Sequence, residues 1–75
     1  MKRISTIAEL GAVVRDIRKG QGVSQDTLSG LAGTGQRYVS ELERGKETIR
    51  LRELLKLLDA LGASLYLADP QEKPE

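Results

Sequence analysis

Residues 24–45 read SQDTLSGLAGTGQRYVSELERG. Ser24 is a good helix N-cap, and Leu28, Leu31 and Ala32 can share one side of a short helix over Gln25 to Ala32. Gly33 can take the left-handed conformation after that helix, and Thr34 and Gly35 complete a tight turn. A second short helix is predicted over Gln36 to Arg44, ended by Gly45. Val39 and Leu42, three apart, turn inward and leave Gln36, Arg37, Ser40, Glu41 and Arg44 outward. Two short helices crossing through such a turn form a unit that offers its second helix to a DNA major groove.

The flanking sequence supplies helices to cover this unit. Thr6 and Glu9 form a capping box, opening a helix over Ile7 to Lys19. Leu10, Val14 and Ile17 make its stripe, with Ile7 and Val13 at the edges. Arg15, Arg18 and Lys19 crowd its last turns, where the helix dipole favours cations, and Gly20 and Gly22 end it. Lys46 to Ile49 is a linker. A fourth helix is predicted over Leu51 to Leu61, with Gly62 after it. Leu51, Leu54, Leu55, Leu58 and Leu61 share one face, and Leu57 falls off it.

Beyond Gly62 the pattern changes. Residues 63–69 alternate, with Leu65 and Leu67 on one side, and Asp69-Pro70 stops the run, which reads as a strand. A lone strand leaves its backbone groups unpaired. It can pair with residues 1–5 of its own chain or with the same strand of a second copy about a two-fold axis. The second is favoured, because Leu57, Leu65, Tyr66 and Leu67 give a dimer a surface to bury. The organisation is a segment over 1–5, a helical domain over 6–62, a dimerisation strand over 63–69 and a disordered tail over 70–75. The fold class is all-α with four helices and a short C-terminal strand.

A chain of 75 residues is one small domain with a marginal core. It has no cysteine and no histidine, so disulfides, thiolate metal sites and the commonest general base are excluded. Neither a cofactor nor a metal is expected. No apolar run nears the ~20 residues needed to span a bilayer, and no secretory signal opens the chain. A cytoplasmic protein with no membrane association is the expectation. Serine nucleophiles have no histidine beside them. Glu41 and Glu43 lie two apart on a helix and point away from each other. The glycines of GLAGTG do not match the nucleotide fingerprints, and Gly45-Lys46 is followed by Glu47 rather than Ser or Thr. An enzyme is not expected.

The net charge is +1, but it is unevenly placed. Lys2, Arg3, Arg15, Arg18 and Lys19 against Glu9 and Asp16 leave residues 1–22 at +3. Lys73 against Asp59, Asp69, Glu72 and Glu75 leaves residues 59–75 at −3. One end can meet phosphate while the other stays clear of it. The outward residues of the second short helix are of the types that read base edges: Gln36 suits adenine, and Arg37 suits N7 and O6 of guanine. Tyr38 and Ser40 can touch a thymine methyl or a phosphate. Gln25, opening its helix, and Arg44 and Lys46, at the far end, can hold the DNA backbone. Two tyrosines are too few for a single-strand stacking platform.

Arg18, then Gly22-Val23-Ser24-Gln25, Leu28-Ser29-Gly30-Leu31-Ala32-Gly33 and Val39-Ser40-Glu41-Leu42-Glu43-Arg44-Gly45-Lys46, resembles the Cro/phage-repressor (XRE) helix-turn-helix family over about residues 7–62. The ending LLDALGASLYLAD resembles the HipB-type antitoxins, which act with a HipA-type serine/threonine kinase toxin. The resemblance implies a lambda-repressor-like domain that represses transcription from a palindromic operator as a homodimer, its terminal strands pairing between chains. The runner-up is an autonomous repressor with no toxin.

It also implies residue roles. Gln25 would bond a phosphate and buttress Gln36. Gln36, Arg37, and Ser40 or Glu41 would face the base edges. Arg18 and Glu43 would form a partly buried ion pair. Two positions depart from the family pattern. Gly35 stands where a capping Ser or Thr is usual, leaving a weaker cap or capping by Thr34. Gly30 stands inside a helix where alanine is common, at up to ~1 kcal/mol of helix preference, and would be explained by close helix packing.

Overall fold

The computed structural model describes residues 1–72. Four helices follow in order: α1 over Ile7–Gly20, α2 over Gln25–Ala32, α3 over Gln36–Glu43 and α4 over Leu51–Ala60. The starts of α1 and α2 follow the capping chemistry. The Thr6 hydroxyl accepts from the Glu9 amide at 3.1 Å. The Glu9 carboxylate reaches back to the Ser5 amide at 2.9 Å, one residue earlier than a capping box requires. The Ser24 hydroxyl accepts from the Thr27 amide at 3.0 Å. Between α2 and α3 the chain reverses at Gly33, whose φ of +70° is a conformation that side chains with a Cβ rarely adopt.

The core draws on all four helices: Leu10 and Val14, Leu28 and Ala32, Val39 and Leu42, and Leu54, Leu57 and Leu58, with Leu61 just beyond α4. Leu57, expected on a second contact surface, is 0 % exposed at the centre of this core. At about 100° per residue, Leu54, Leu57, Leu58 and Leu61 fall within an arc of about 100°. The same arithmetic places Leu55 about 60° beyond Leu58, outside that arc, and both Leu51 and Leu55 are exposed rather than buried. Leu31 is 67 % exposed, also against expectation. The buried side of α2 is set by Leu28, Ser29 and Ala32, and Leu31 lies past its edge.

The packing of α1 against α3 is close. A Cβ at Gly11 would collide with the Leu42 carbonyl oxygen and sit 3.1 Å from that of Glu43. A Cβ at Gly45, just after α3, would lie 2.9 Å from Ala8 Cα. Gly30, by contrast, has nothing within 4 Å of where a Cβ would stand, so close packing does not account for it. At the opposite end of the domain, the Gln21 side-chain amide donates to the Leu61 carbonyl at 2.7 Å and fastens the end of α1 to the end of α4.

The expected C-terminal strand is not formed in the single chain. Residues 63–69 carry no regular structure, and no backbone hydrogen bond joins them to residues 1–5 among the described residues. The physical reason is that a strand exists through its ladder, and one protomer offers these residues no edge. Leu65, Tyr66 and Leu67 are all exposed. Of the tail expected to be disordered, residues 70–72 close a turn: the Gln71 amide donates to the Asp69 carboxylate at 2.8 Å and the Glu72 amide to the Asp69 carbonyl at 3.0 Å. Residues 73–75 of that tail lie outside the described residues. No helix among the described residues is long and apolar enough to cross a membrane.

Candidate nucleic-acid interface

The site begins with a buried ion pair. Arg18, near the end of α1, is 8 % exposed. Its Nε donates to Glu43 Oε2 at 2.6 Å and its Nη2 to Glu43 Oε1 at 2.9 Å, a two-pronged pairing of planar groups. Its Nη1 donates to the Val23 carbonyl at 2.8 Å, in the link that leads into α2. Gln25, the first residue of α2, donates its side-chain amide to Glu43 Oε1 at 3.1 Å. Burial pushes the Glu43 carboxyl up, but the hydrogen bonds from Arg18 and Gln25 outweigh it and hold the pKa below the ordinary value. The hydrogen bond to Glu43 raises Arg18 against the opposing effect of burial. One carboxylate therefore ties α1, α2 and α3 into a fixed arrangement. Such a pair sets orientation more surely than it adds stability.

The expectation that Gln25 buttresses Gln36 is corrected by this geometry. No hydrogen bond joins Gln25 to Gln36 among the described residues: one N–H of the Gln25 amide goes to Glu43, and Gln36 is an exposed side chain at the start of α3.

With Val39 and Leu42 buried, α3 turns a polar face outward. Gln36, Arg37 and Arg44 are exposed, and Ser40 and Glu41 are half-buried. Arg37 Nε donates to Glu41 Oε1 at 2.9 Å, one turn along the helix, and Lys46 Nζ stands 3.6 Å from the same oxygen. The hydrogen bond from Arg37, with the nearby Lys46 charge, holds the Glu41 carboxyl below its ordinary range. Arg44, at the C-cap of α3, pairs with no carboxylate among the described residues.

Tyr38 sits differently from the expectation of a phosphate contact. Its hydroxyl donates to the Arg50 carbonyl at 3.0 Å and accepts from the Arg50 amide at 3.4 Å. The Arg50 guanidinium lies over the ring, 5.6 Å from its centroid. Burial raises the phenol pKa, against the lowering effect of the hydrogen bond at Arg50. The hydroxyl is thus occupied in bracing the α3–α4 link. Beside it an open groove of about 470 Å³ runs along α3, lined by Gly35, Arg37, Tyr38, Glu41, Thr48 and Arg50. Sequence reasoning missed Arg50 as a member of this wall.

The start of α3 is bare. Gly35 makes no side-chain cap, and Thr34 does not replace it: the Thr34 hydroxyl is buried without a hydrogen-bond partner among the described residues. Of the residues expected in dimerisation, Leu57 is in the core, while Leu65, Tyr66 and Leu67 lie exposed on the segment after Gly62.

Comparisons with known proteins bear on this arrangement. Residues 14–67 match the helix-turn-helix family model HTH_3. The uncharacterised HTH-type transcriptional regulator y4mF of Sinorhizobium fredii (strain NBRC 101917 / NGR234) is 44 % identical over 72 residues, covering 96 % of this chain and 95 % of that protein. Among solved structures, the restriction-modification controller protein C.AhdI from Aeromonas hydrophila is 36 % identical with a TM-score of 0.73, covering 77 % of this chain and 88 % of its own. A chain of the HipA-HipB-O2-O3 complex shares the fold at a TM-score of 0.84 and 24 % identity, covering 95 % of this chain and 100 % of its own.

Proposed function

Because the chain belongs to the HTH_3 helix-turn-helix family of DNA-binding transcriptional regulators, we propose that it is a cytoplasmic repressor that binds a palindromic operator as a homodimer. We propose further that it is the antitoxin of a HipBA-like pair and autoregulates its own operon. The observation that carries the DNA reading is the two-sided character of α3. Glu43 locks one side onto α1 and α2, while Gln36, Arg37 and Ser40 stand outward on the other. In this reading Gln36, Arg37 and Ser40 meet base edges, and Gln25, Arg44 and Lys46 hold phosphates on either side. Two copies would place two α3 helices one helical turn, ~34 Å, apart.

Mutagenesis separates these roles. Arg37→Ala is expected to cost about 1–3 kcal/mol at one base position and relax specificity there. Lys46→Ala is expected to weaken binding to all sequences alike and to reduce the slope of log K against log salt by about 1. Binding-site selection followed by titration at several salt concentrations measures both. Unchanged operator affinity for Arg37→Ala would refute the base-reading role.

The dimer reading is supported by the apolar side chains left uncovered after Gly62. Deleting residues 64–75 is expected to give monomers in analytical ultracentrifugation, with weaker operator binding because two half-sites are no longer held together. A surviving dimer would refute pairing through this segment.

Support for the antitoxin reading is the layout of the chain and its likeness in fold to a chain of the HipA-HipB-O2-O3 complex. The second reading, an autonomous repressor with no toxin, draws on the higher identity to the controller protein C.AhdI. A kinase-sized reading frame beside the gene, whose product co-purifies with this chain, would decide for the first.

A further inference from the structure

We propose that Glu41 is a positioning residue that aims Arg37 end-on at a guanine, rather than reading a base itself. The inference rests on the reading of α3 as the base-reading helix and names a role inside it. Glu41 faces the same side as the phosphate-holding residues, where a free carboxylate would be repelled by DNA. Its charge is instead taken up locally. Oε1 accepts from Arg37 Nε at 2.9 Å and lies 3.6 Å from Lys46 Nζ. The carboxylate lies low and the guanidinium high: their side chains are 18 % and 90 % exposed.

The chemistry of the guanidinium then fixes its approach. A guanidinium has five N–H donors in a rigid plane, one on Nε and four on the two terminal nitrogens. With Nε engaged, the side-on approach that uses Nε and one terminal nitrogen is closed. The pair left free is Nη1 and Nη2, whose parallel N–H groups match N7 and O6 of one guanine. The bond to Glu41 also holds a long side chain in one arrangement before DNA arrives, which removes an ordering cost from binding. Because Lys46 shares the carboxylate, the reader and a backbone contact are held against one anchor.

The test uses the full chain and four variants: Arg37→Ala, Glu41→Ala, Glu41→Gln and the double variant Arg37→Ala, Glu41→Ala. Binding-site selection with wild type and Arg37→Ala first identifies the guanine that Arg37 reads. Duplexes carrying guanine, adenine or 7-deazaguanine at that position are then titrated, with an unrelated duplex for non-specific affinity. Glu41→Ala is expected to reduce the preference for guanine over adenine about tenfold. It is also expected to leave non-specific affinity equal or higher, since a negative charge has gone, and to have no further effect in the Arg37→Ala background. Glu41→Gln, which keeps an oxygen acceptor, is expected to retain most of the preference, and thermal melts confirm that each variant folds. An unchanged preference in Glu41→Ala would overturn the proposal. So would a preference lost at a base that Arg37→Ala leaves intact, since Glu41 would then read that base directly. A wild-type chain that selects no sequence would instead overturn the underlying DNA reading, and the proposal with it.

Discussion

Replacing Gly11 by alanine is expected to lower the melting temperature by about 10–20 °C, although alanine is the better helix former by ~1 kcal/mol. The new Cβ has nowhere to go. It would overlap the Leu42 carbonyl oxygen, and the Glu43 carbonyl oxygen stands 3.1 Å away. Both belong to the backbone of α3, which has no rotamer to change, so α3 must retreat from α1. Overpacking of this kind costs about 1–3 kcal/mol and occasionally more, and a contact with rigid backbone belongs at the upper end. Gly30→Ala is the control. Nothing lies within 4 Å of its added methyl group, so only the helix preference is left, and the melting temperature should rise. Thermal unfolding of the two variants followed by circular dichroism checks the opposite signs. Equal shifts in one direction would show that α1 and α3 are not in this contact. Because α3 carries the outward residues and Glu43, operator binding by Gly11→Ala should fall even where the chain remains folded.

The second large effect is at Glu43. Removing one partner of a buried pair leaves the other charge uncompensated, at about 3–5 kcal/mol. Glu43→Ala strands Arg18, which is 8 % exposed, and removes the acceptor of the Gln25 amide. A domain of this size has only about 5 kcal/mol or a little more to lose, so the variant should be largely unfolded in dilute urea at room temperature. Arg18→Met combined with Glu43→Leu removes both charges and should recover much of the loss, which urea titration of the wild type and the two variants measures. The pH dependence has a definite sign. Glu43 titrates lower in the folded state than in the unfolded chain. Its contribution is therefore fully present above the ordinary carboxylate range and is lost as pH falls through the depressed folded value. In the Arg18→Met, Glu43→Leu double variant that acid-side slope should be shallower.

Much of this fold was legible because local chemistry decides helix ends. Thr6, Ser24, Gly33 and Gly62 mark boundaries through caps and left-handed glycines, each a property of a few consecutive residues. The four-helix order and the outward face of α3 followed from periodicity. What was not legible depended on a neighbour. Gly11 reads as a poor helix residue until the α3 backbone is seen against it. Leu57 and Leu55 are chemically identical, and which of them faces the core is set by where the other three helices stand. The tie between Arg18 and Glu43 spans 25 residues, and residue types alone left Arg18 as a cation at a helix end. Only the family resemblance paired the two. Gln25 and Tyr38 have the functional groups to meet DNA, but both also have partners within the protein that their own sequence neighbourhoods do not announce.

The bare start of α3 has a consequence for motion. Its first amides have no intrahelical acceptor, Gly35 offers no side-chain oxygen, and the nearby Thr34 hydroxyl is turned to no partner. The other end of the same helix is held by Leu42 in the core and Glu43 in its ion pair. The free energy of local opening therefore rises along α3 from Gln36 to Glu43. The turn that carries Gln36 and Arg37 is therefore expected to exchange its amide hydrogens faster than the end of α3 held by Leu42 and Glu43.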